Sequence, residues 1–421
     1  MKTQKALSDY HFHAFNKDVL TIRTLYLIAK AILFQDKGTE GGSKSGINFE
    51  MLRRIANFLR IGFERSSTEV FESLSSSYKD AGFKLDAATP LMFDVEYCFV
   101  EASDRSIHEN VLSNVQDRFQ LLFGENTNDE DFAVIQHFLN ELQAERGSAN
   151  LEGAVTKSFQ NQIDEIVALR NKYPSVVFPF FAVDPRRSGV VDMAIQQLEQ
   201  GNFFGIKLYA PNGYSPLDKE LLKLYSYCEK NQVPITAHHS LGGFATFADK
   251  LNINGEIYDA GKIVTPANPV SFVPLFENGW VEDRARKLNH PMLWEKVLEQ
   301  YPKLKLDLAH FGLFSNATQL DDRYAWTSYV AGLMKKYENL FTDLSCYTDI
   351  NDIKYINSHF LTDPKVAGKV LYGSDYYLNM LFINTFKGYM QNFTTALGSN
   401  FDMLLANNAK FFAKIPQEQN R

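Results

Sequence analysis

Short apolar runs alternate with amphipathic segments along most of the chain. The clearest apolar run, residues 176–183, reads Val-Val-Phe-Pro-Phe-Phe-Ala-Val and is typical of a strand buried on both faces. The segment that follows, residues 190–200, has apolar side chains at helical spacing. A strand followed by a helix, repeated along a chain, favours parallel strands joined by crossover helices.

The same rhythm predicts eight strands. They are, in order, residues 7–12, 91–99, 176–183, 203–209, 233–237, 305–309, 340–344 and 370–373. Eight parallel strands with helical partners define a (β/α)8 TIM barrel, and 421 residues are enough for one such barrel with insertions. The sequence therefore predicts an α/β fold with a single domain over residues 1–421.

Two long segments interrupt the rhythm. Residues 16–88 follow the first strand and contain helical patterns around a loop rich in glycine and serine at residues 38–46. Residues 240–289 follow the fifth strand and carry glycines, prolines and aromatic residues, which predicts a long loop insertion. The second segment is expected to form a substrate lid or a dimer contact, so a homodimer is one of the expectations.

Composition and charge narrow the function. Hydrophobic residues make up 45% of the chain, the net charge is −7 and basic residues form no run, so the sequence lacks the electrostatic footprint of a nucleic-acid-binding protein. No stretch of about 18 apolar residues predicts a membrane span. The three cysteines lie far apart, which indicates reduced thiols and a cytoplasmic location. We expect a small-molecule substrate, with no nucleic-acid or membrane partner.

Polar residues recur where the predicted strands end. His11 and His13 close the first strand, His238 the fifth, His310 the sixth and Asp375 the eighth. Each has an ordinary alternative when taken alone, since a histidine can be hydrogen-bonded in a core and an aspartate can cap a helix. The C-terminal ends of barrel strands meet at one face, however, and imidazoles with a carboxylate suit a divalent ion such as zinc. The set predicts a metal site.

Strand periodicity predicts which side chains face that site. Residues two apart on a strand point to the same side, so His11 and His13 are expected to face inward together. Asp9 lies one step deeper on this face and is expected to orient a ligand. In the fifth strand Thr236 shares a face with His238, and His239 is expected to point elsewhere.

The strand-end motifs carry a family resemblance. They are Asp9-Tyr-His-Phe-His13, Val183-Asp-Pro-Arg186, Gly205-Ile-Lys-Leu208, Pro234-Ile-Thr-Ala-His238, Ala309-His-Phe-Gly312 and Gly373-Ser-Asp-Tyr376. Together they resemble the amidohydrolase superfamily, and most closely its amidohydrolase-related (amidohydrolase 2) branch. The resemblance covers almost the whole chain apart from the two insertions, and it says little about the substrate.

The resemblance implies roles for these residues. It implies metal ligation by His11, His13, His238 and Asp375, with Asp375 also accepting the proton of the attacking water. It implies that His310 contacts substrate, water or a second metal, so Asp375 and His310 are the catalytic candidates. In binuclear members a carboxylated lysine bridges two metals. Here one Zn²⁺ and an unmodified Lys207 are favoured, and Mn²⁺ or a second metal remains an alternative.

A metal at this site would lower the pKa of bound water towards about 7 and supply a nucleophile. The sequence therefore predicts a metal-dependent hydrolase that acts on an amide, ester or lactone bond. One alternative is a non-oxidative decarboxylase on the same site, which the predicted ligands do not distinguish from a hydrolase. A further alternative is a non-catalytic barrel that binds a ligand through its insertions.

Further polar residues near the strand ends are candidates for substrate binding. Lys207 and Arg186, with Arg187 beside it, would form a cationic rim suited to a carboxylate-bearing substrate. The alternative is that both arginines form structural salt bridges. Tyr209 and Tyr376 also follow strands and would either line the pocket or cover the top of the barrel.

Overall fold

The structure is a computed structural model, and it describes residues 4–16, 49–63, 65–99, 130–144, 156–275, 277–313 and 323–412. Apolar residues at helical spacing also predict helices over residues 18–34 and 107–123. Both helices, and the glycine-rich loop at 38–46, lie outside the residues that the structure describes. The barrel strands and the residues predicted for the metal site all lie inside them.

In the described residues, eight parallel strands form a closed barrel. They are β1 (Lys5–Phe12), β2 (Phe83–Pro90), β3 (Phe180–Val183), β4 (Gly205–Leu208), β5 (Ile235–Ala237), β6 (Leu306–Leu308), β7 (Leu340–Asp343) and β8 (Val370–Leu371). β1 pairs with β2, and β3 to β8 pair in chain order as a second parallel ladder. Parallel bridges join Ala88 to Val177 and Phe12 to Tyr376, which closes the ring on both sides.

Helices surround this barrel, as the pattern of apolar residues predicts. They are α1 (Phe49–Gly62), α2 (Ser67–Asp80), α3 (Glu130–Ala144), α4 (Lys157–Lys172), α5 (Val190–Glu199), α6 (Leu222–Asn231), α7 (Trp280–Asn289), α8 (Pro291–Gln300), α9 (Ala325–Lys336), α10 (Ile350–His359), α11 (Pro364–Ala367), α12 (Phe386–Leu397) and α13 (Asn400–Phe412). Helix α2 begins with a capping box, in which Ser66 accepts from the N–H of Glu69 and the Glu69 carboxylate accepts from the N–H of Ser66.

The six strands from β3 to β8 are buried along their whole length. Inward side chains fill the barrel, and outward side chains pack against the helices, as in parallel sheets covered on both faces. Within the described part of the chain, no helix combines the length and apolar character that a membrane crossing needs.

The position predicted for the second strand was wrong. The sequence prediction placed this strand at residues 91–99, whereas β2 already ends at Pro90 and residues 95–99 form a 3₁₀ turn. Proline lacks a backbone donor and is tolerated at a strand terminus. The N–H that donates to the carbonyl of Phe12, at 2.8 Å, belongs to Leu91. β2 therefore contains residues 83–88, which the sequence analysis assigned to the helical insertion at 16–88.

The segment after β5 has regular structure of its own. Lys250–Leu251 pairs with Val270–Ser271, and Ile257–Asp259 pairs with Lys262–Val264, both antiparallel. Helix α7 then occupies the end of the region predicted as loop. Residues from the segment and from α7, among them Leu251, Phe272 and Leu288, form a separate small apolar core.

Candidate metal centre

Strand β1 brings two histidines to the C-terminal face of the barrel. The Nδ1 of His11 lies 2.7 Å from the Oδ2 of Asp343, and the Nδ1 of His13 lies 3.0 Å from the carbonyl of Leu91. Both partners accept hydrogen bonds, so each Nδ1 carries the proton and each Nε2 keeps a free lone pair. His11 and His13 are both buried, and their shared orientation follows from the two-residue period of the strand.

Asp375 faces both histidines from the end of β8. Its N–H donates to the carbonyl of His11 at 2.7 Å, and this hydrogen bond joins the loop after β8 to β1. Its Oδ1 lies 3.3 Å from the Nε2 of His13 and 3.6 Å from the Nε2 of His11. Asp9 supports the same junction, because it accepts from the N–H of His11 and from both the N–H and the hydroxyl of Ser374. Asp9 also accepts from the hydroxyl of Tyr78 on α2 at 2.8 Å, so its side chain contacts a surrounding helix, and the expected role of Asp9 in orienting a ligand stays a prediction.

His11, His13 and Asp375 fit a divalent cation. Each offers one ligand atom, and these atoms lie within 4.8 Å of one another. The Nε2 of His11 and the Oδ1 of Asp375 are buried and have no hydrogen-bond partner among the described residues, which is costly unless a cation or a polar ligand compensates. Burial lowers the pKa of His11 to about 3, with Lys207 acting in the same direction, so the ring is neutral at pH 7. Burial alone would raise the pKa of Asp375, but His13 and His11 lower it to about 2. Neutral imidazoles and an ionised carboxylate are the forms that bind metal.

The carboxylate that orients His11, Asp343, was missed by the sequence analysis. It lies at the end of β7 and accepts from His11, from the N–H of His310 at 2.9 Å and from the N–H of Ser345 at 3.0 Å. Burial opposes its charge, but these partners hold the pKa of Asp343 well below its usual range. The signal that could have found it is an aspartate closing the apolar run Leu340-Phe-Thr-Asp343.

Asp343→Asn is expected to weaken metal binding by about 10–100-fold, which is typical of the loss of a carboxylate behind a histidine ligand. The amide cannot accept from the Nδ1–H of His11 through its nitrogen, so the imidazole loses the partner that fixes its tautomer. Competition with a chelating dye measures the affinity. Asp352→Asn is the matched control. Asp352 lies on α10 and is a buried carboxylate that forms an ion pair with Arg323. Equal affinities for the two variants would contradict the orienting role.

The structure pairs the other two predicted histidines with each other. The Nδ1 of His238 lies 3.1 Å from the Nε2 of His310, and the Nε2 of His238 lies 3.1 Å from the carbonyl of Gly242. The ring of His310 lies 5.0 Å from that of His11 and 4.8 Å from that of His238, between centroids. His238 therefore borders the centre, but it does not belong to the three-residue group.

The predicted alternation in β5 is confirmed. His239 stacks on Trp326 with ring centroids 4.9 Å apart, whereas His238 contacts His310. Thr236 points into the barrel, where its hydroxyl lies 2.5 Å from that of Tyr10. The two adjacent histidines thus have different surroundings, and only His238 borders the centre.

Lys207 lies among carboxylates inside the barrel. The strand register places it beside Thr236, which in turn is beside Asp307. Its Nζ is buried and has no hydrogen-bond partner in the part of the chain that the structure describes. Burial lowers the pKa of Lys207 to about 8, against the opposing influence of Asp343, Asp375 and Asp307.

The remaining candidates for substrate binding have other partners. The ring of Tyr209 stacks on His238 with centroids 4.1 Å apart, and its hydroxyl accepts from the N–H of Phe244. Arg186 donates to Asp184 and to the carbonyls of Tyr97 and Asn212, and Arg187 forms ion pairs with Asp94 and Glu96. The hydroxyl of Tyr376 lies 2.9 Å from that of Ser73 on α2. These contacts favour the structural alternative for both arginines and a covering role for Tyr376.

A closed parallel barrel with a histidine and carboxylate cluster at its C-terminal face is typical of barrel proteins with a catalytic metal. The family model described as Amidohydrolase matches residues 137–410, which is more than half of the chain. The chain belongs to this amidohydrolase family, which confirms the resemblance inferred from the motifs. The match includes His238, His310 and Asp375 but begins after β1, so the two histidines of β1 lie outside it.

Three solved structures illustrate the likeness, each at low identity. A probable 2-pyrone-4,6-dicarboxylic acid hydrolase from Acinetobacter baumannii, with citric acid bound, is 11% identical, with 97% of this chain and 99% of that one covered and a TM-score of 0.47. A 5-carboxyvanillate decarboxylase from Novosphingobium aromaticivorans, with manganese and 4-hydroxy-3-methoxy-5-nitrobenzoic acid, is 11% identical, with 98% and 96% covered and a TM-score of 0.49. The 4-oxalomesaconate hydratase from Rhodopseudomonas palustris is 12% identical, with 96% and 94% covered and a TM-score of 0.44. No curated protein matches this chain. The barrel assignment rests on the strand pairing of the chain itself.

Proposed function

We propose that this protein is a metal-dependent hydrolase that cleaves an amide, ester or lactone bond of a small substrate. One observation carries the proposal: the Nε2 atoms of His11 and His13 and the Oδ1 of Asp375 converge in a buried site, and within the described ranges two of these three atoms, the Nε2 of His11 and the Oδ1 of Asp375, have no hydrogen-bond partner. Family membership supports it independently. We favour one Zn²⁺ per chain, held by these three residues, and His238 remains a prediction as a further ligand.

Bound there, a divalent ion would supply Lewis acidity and an activated water. Asp375 is ionised at neutral pH, so its carboxylate can accept the proton of the attacking water at Oδ2, while Oδ1 serves as the ligand atom, and can later return the proton to the leaving group. Asp343 holds His11, and through the N–H of His310 it also holds the backbone of the second catalytic candidate. The site thus keeps one carboxylate for proton transfer and another for positioning.

His310 is the candidate for contact with the substrate. Its Nδ1 lies 2.9 Å from the hydroxyl of Ser345, and its Nε2 faces His238. A proton shared between these two rings can be offered to a carbonyl oxygen that gains negative charge. We propose that the His238–His310 pair polarises the scissile carbonyl, and that Tyr209 supports it by stacking on His238.

Lys207 supports a carboxylate-bearing substrate. Its Nζ is buried, none of the described residues forms a hydrogen bond with it, and a substrate carboxylate would satisfy it. The one-metal proposal keeps this lysine unmodified. Arg186 and Tyr376 are not part of this proposal. Arg186 donates to Asp184, and the hydroxyl of Tyr376 forms a hydrogen bond with that of Ser73.

The test has two measurements on protein purified without chelator. Elemental analysis should find close to one divalent ion per chain. The protein should then hydrolyse members of a panel of small amides, esters and lactones, with the carboxylated members turned over faster than their neutral analogues. Release of carbon dioxide from carboxylic acids, without hydrolysis, would support the decarboxylase alternative instead. Failure to bind added zinc or manganese would overturn both enzymatic proposals.

A further inference from the structure

Ser345 follows β7 and lies between two histidines of the candidate site, His11 and His310. The residue is 1% exposed. Its hydroxyl oxygen lies 2.5 Å from the Oδ1 of Asp343, 2.9 Å from the Nδ1 of His310 and 3.1 Å from the Nδ1 of His11. The sequence analysis named no metal ligand or catalytic residue at the end of β7, so these contacts give this strand end a part in the site.

The contacts of the Ser345 hydroxyl fix the direction of each hydrogen bond. A serine hydroxyl has one proton to donate and two lone pairs with which it can accept. The Asp343 carboxylate can only accept, so it receives the proton, and the two lone pairs face the two imidazole nitrogens. Both nitrogens must then donate. For His11 this agrees with the hydrogen bond from its Nδ1 to the Oδ2 of Asp343 at 2.7 Å.

A second contact leads independently to the same proton position on His310. The carbonyl oxygen of Ser345 lies 3.2 Å from the Nδ1 of His310, and a carbonyl can only accept. The Nδ1 of His310 therefore carries the proton whichever way the hydroxyl turns. The Nε2 of His310 keeps a lone pair, which is directed at the Nδ1 of His238 over a distance of 3.1 Å.

The carboxylate of Asp343 also holds the backbone of His310. His310 has a left-handed conformation with φ of 64°, which surrounding contacts must impose on a residue with a side chain. Its N–H donates to the Oδ1 of Asp343 at 2.9 Å. Asp343 thus binds the main chain of His310 directly and the ring of His310 through the Ser345 hydroxyl.

We propose that Ser345 is a positioning residue that holds His310 in the Nδ1–H tautomer. The functional part of this inference rests on the proposed function, in which the His238–His310 pair polarises the scissile carbonyl. In the Nδ1–H tautomer, the Nε2 of His310 is free to take up the proton that the two rings share. In the other tautomer the Nε2 would already carry a proton, and a lone pair of the Nδ1 would face the Ser345 carbonyl.

The test reads the tautomer of His310 by NMR. Histidine is labelled with ¹⁵N in the full-length protein in the presence of Zn²⁺, and long-range ¹H–¹⁵N correlations distinguish the two tautomers. The chain has nine histidines, so the signals of His310 can be assigned as those missing from His310→Gln. The wild-type protein should show His310 in the Nδ1–H tautomer.

Ser345→Ala is expected to raise the fraction of His310 in the Nε2–H tautomer, because only the carbonyl of residue 345 remains to accept from the Nδ1. The variant should fold, since Asp343 still accepts from two backbone N–H groups and from His11. We expect kcat to fall about tenfold, as for one hydrogen bond in a charged network, while KM and metal content stay close to wild type.

Ser374→Ala is the matched control for the spectra. The Ser374 hydroxyl is also buried at a strand end and donates to a carboxylate, the Oδ2 of Asp9, at 2.6 Å. His310 should keep the wild-type tautomer in this variant.

The wild-type spectrum decides the inference even if Ser345→Ala does not fold. A wild-type His310 with its proton on Nε2 would overturn the inference. An unchanged His310 tautomer in Ser345→Ala would overturn it too, whatever the change in kcat. If the wild-type protein hydrolyses no member of the substrate panel, the proposed function fails, and the spectra still decide whether Ser345 holds the tautomer.

Discussion

His13→Ala is expected to remove the bound metal and the activity together. The substitution deletes one of the two neutral Nε2 donors that face Asp375, and a small apolar side chain replaces it. Metal content should fall from close to one ion per chain to well below one. Metal-ion catalysis contributes several kcal/mol, so kcat/KM should fall by about 10³-fold or more. Elemental analysis after dialysis and initial rates on a substrate from the panel measure the two effects.

His239→Ala is the matched control, because it also removes a buried imidazole near the barrel mouth. His239 stacks on Trp326 and lies outside the three-residue group, so the variant should keep its metal. It is expected to lose thermal stability, since the deleted ring leaves a cavity. Metal loss in His239→Ala with full retention in His13→Ala would contradict the proposed centre.

Asp375→Asn is expected to lower kcat by about 10²–10⁴-fold while much of the metal is retained. Asparagine has nearly the same shape and keeps one oxygen that can act as a ligand. The amide cannot accept the proton that the ionised carboxylate would take from the attacking water. Initial rates and metal content, measured on the same preparation, separate the loss of proton transfer from the loss of metal.

Asp375→Ala distinguishes the two roles of this residue. It removes the ligand oxygen as well as the proton acceptor, so it should lose metal in addition to activity. The barrel should stay intact, because the N–H of residue 375 can still donate to the carbonyl of His11. Circular dichroism checks this. An Asp375→Asn variant with wild-type kcat would show that the proton is transferred elsewhere.

The sequence was most informative where a local pattern has a single structural meaning. Apolar runs followed by helical periodicity predicted the barrel, because parallel strands buried on both faces require them. The prediction failed at β2, where the alternation Phe83-Lys-Leu-Asp86 was taken as part of an insertion and the strand was placed at residues 91–99. Pairing with β1 decides that strand, and pairing partners distant in sequence are not visible in a local window.

The candidate site, like the fold, was predicted only in part from the sequence. Strand-end positions pointed to His11, His13 and Asp375, because the C-terminal ends of barrel strands share one face. The sequence could not show that Asp343 orients His11, since these residues meet only when β7 and β1 are brought together across the barrel. Nor could it show that Arg186 forms an ion pair with Asp184, because a charge near a strand end is compatible with either role.

His11 and His13 in β1 show which features the sequence determines and which depend on the tertiary structure. The sequence by itself determined the barrel, the family and the strand ends that carry the polar residues, because strand and helix periods are local properties of the chain. Only the tertiary structure decided that Asp375 faces both histidines and that His238 pairs with His310. These are contacts between side chains on different strands, and their distances depend on how the barrel closes between β8 and β1.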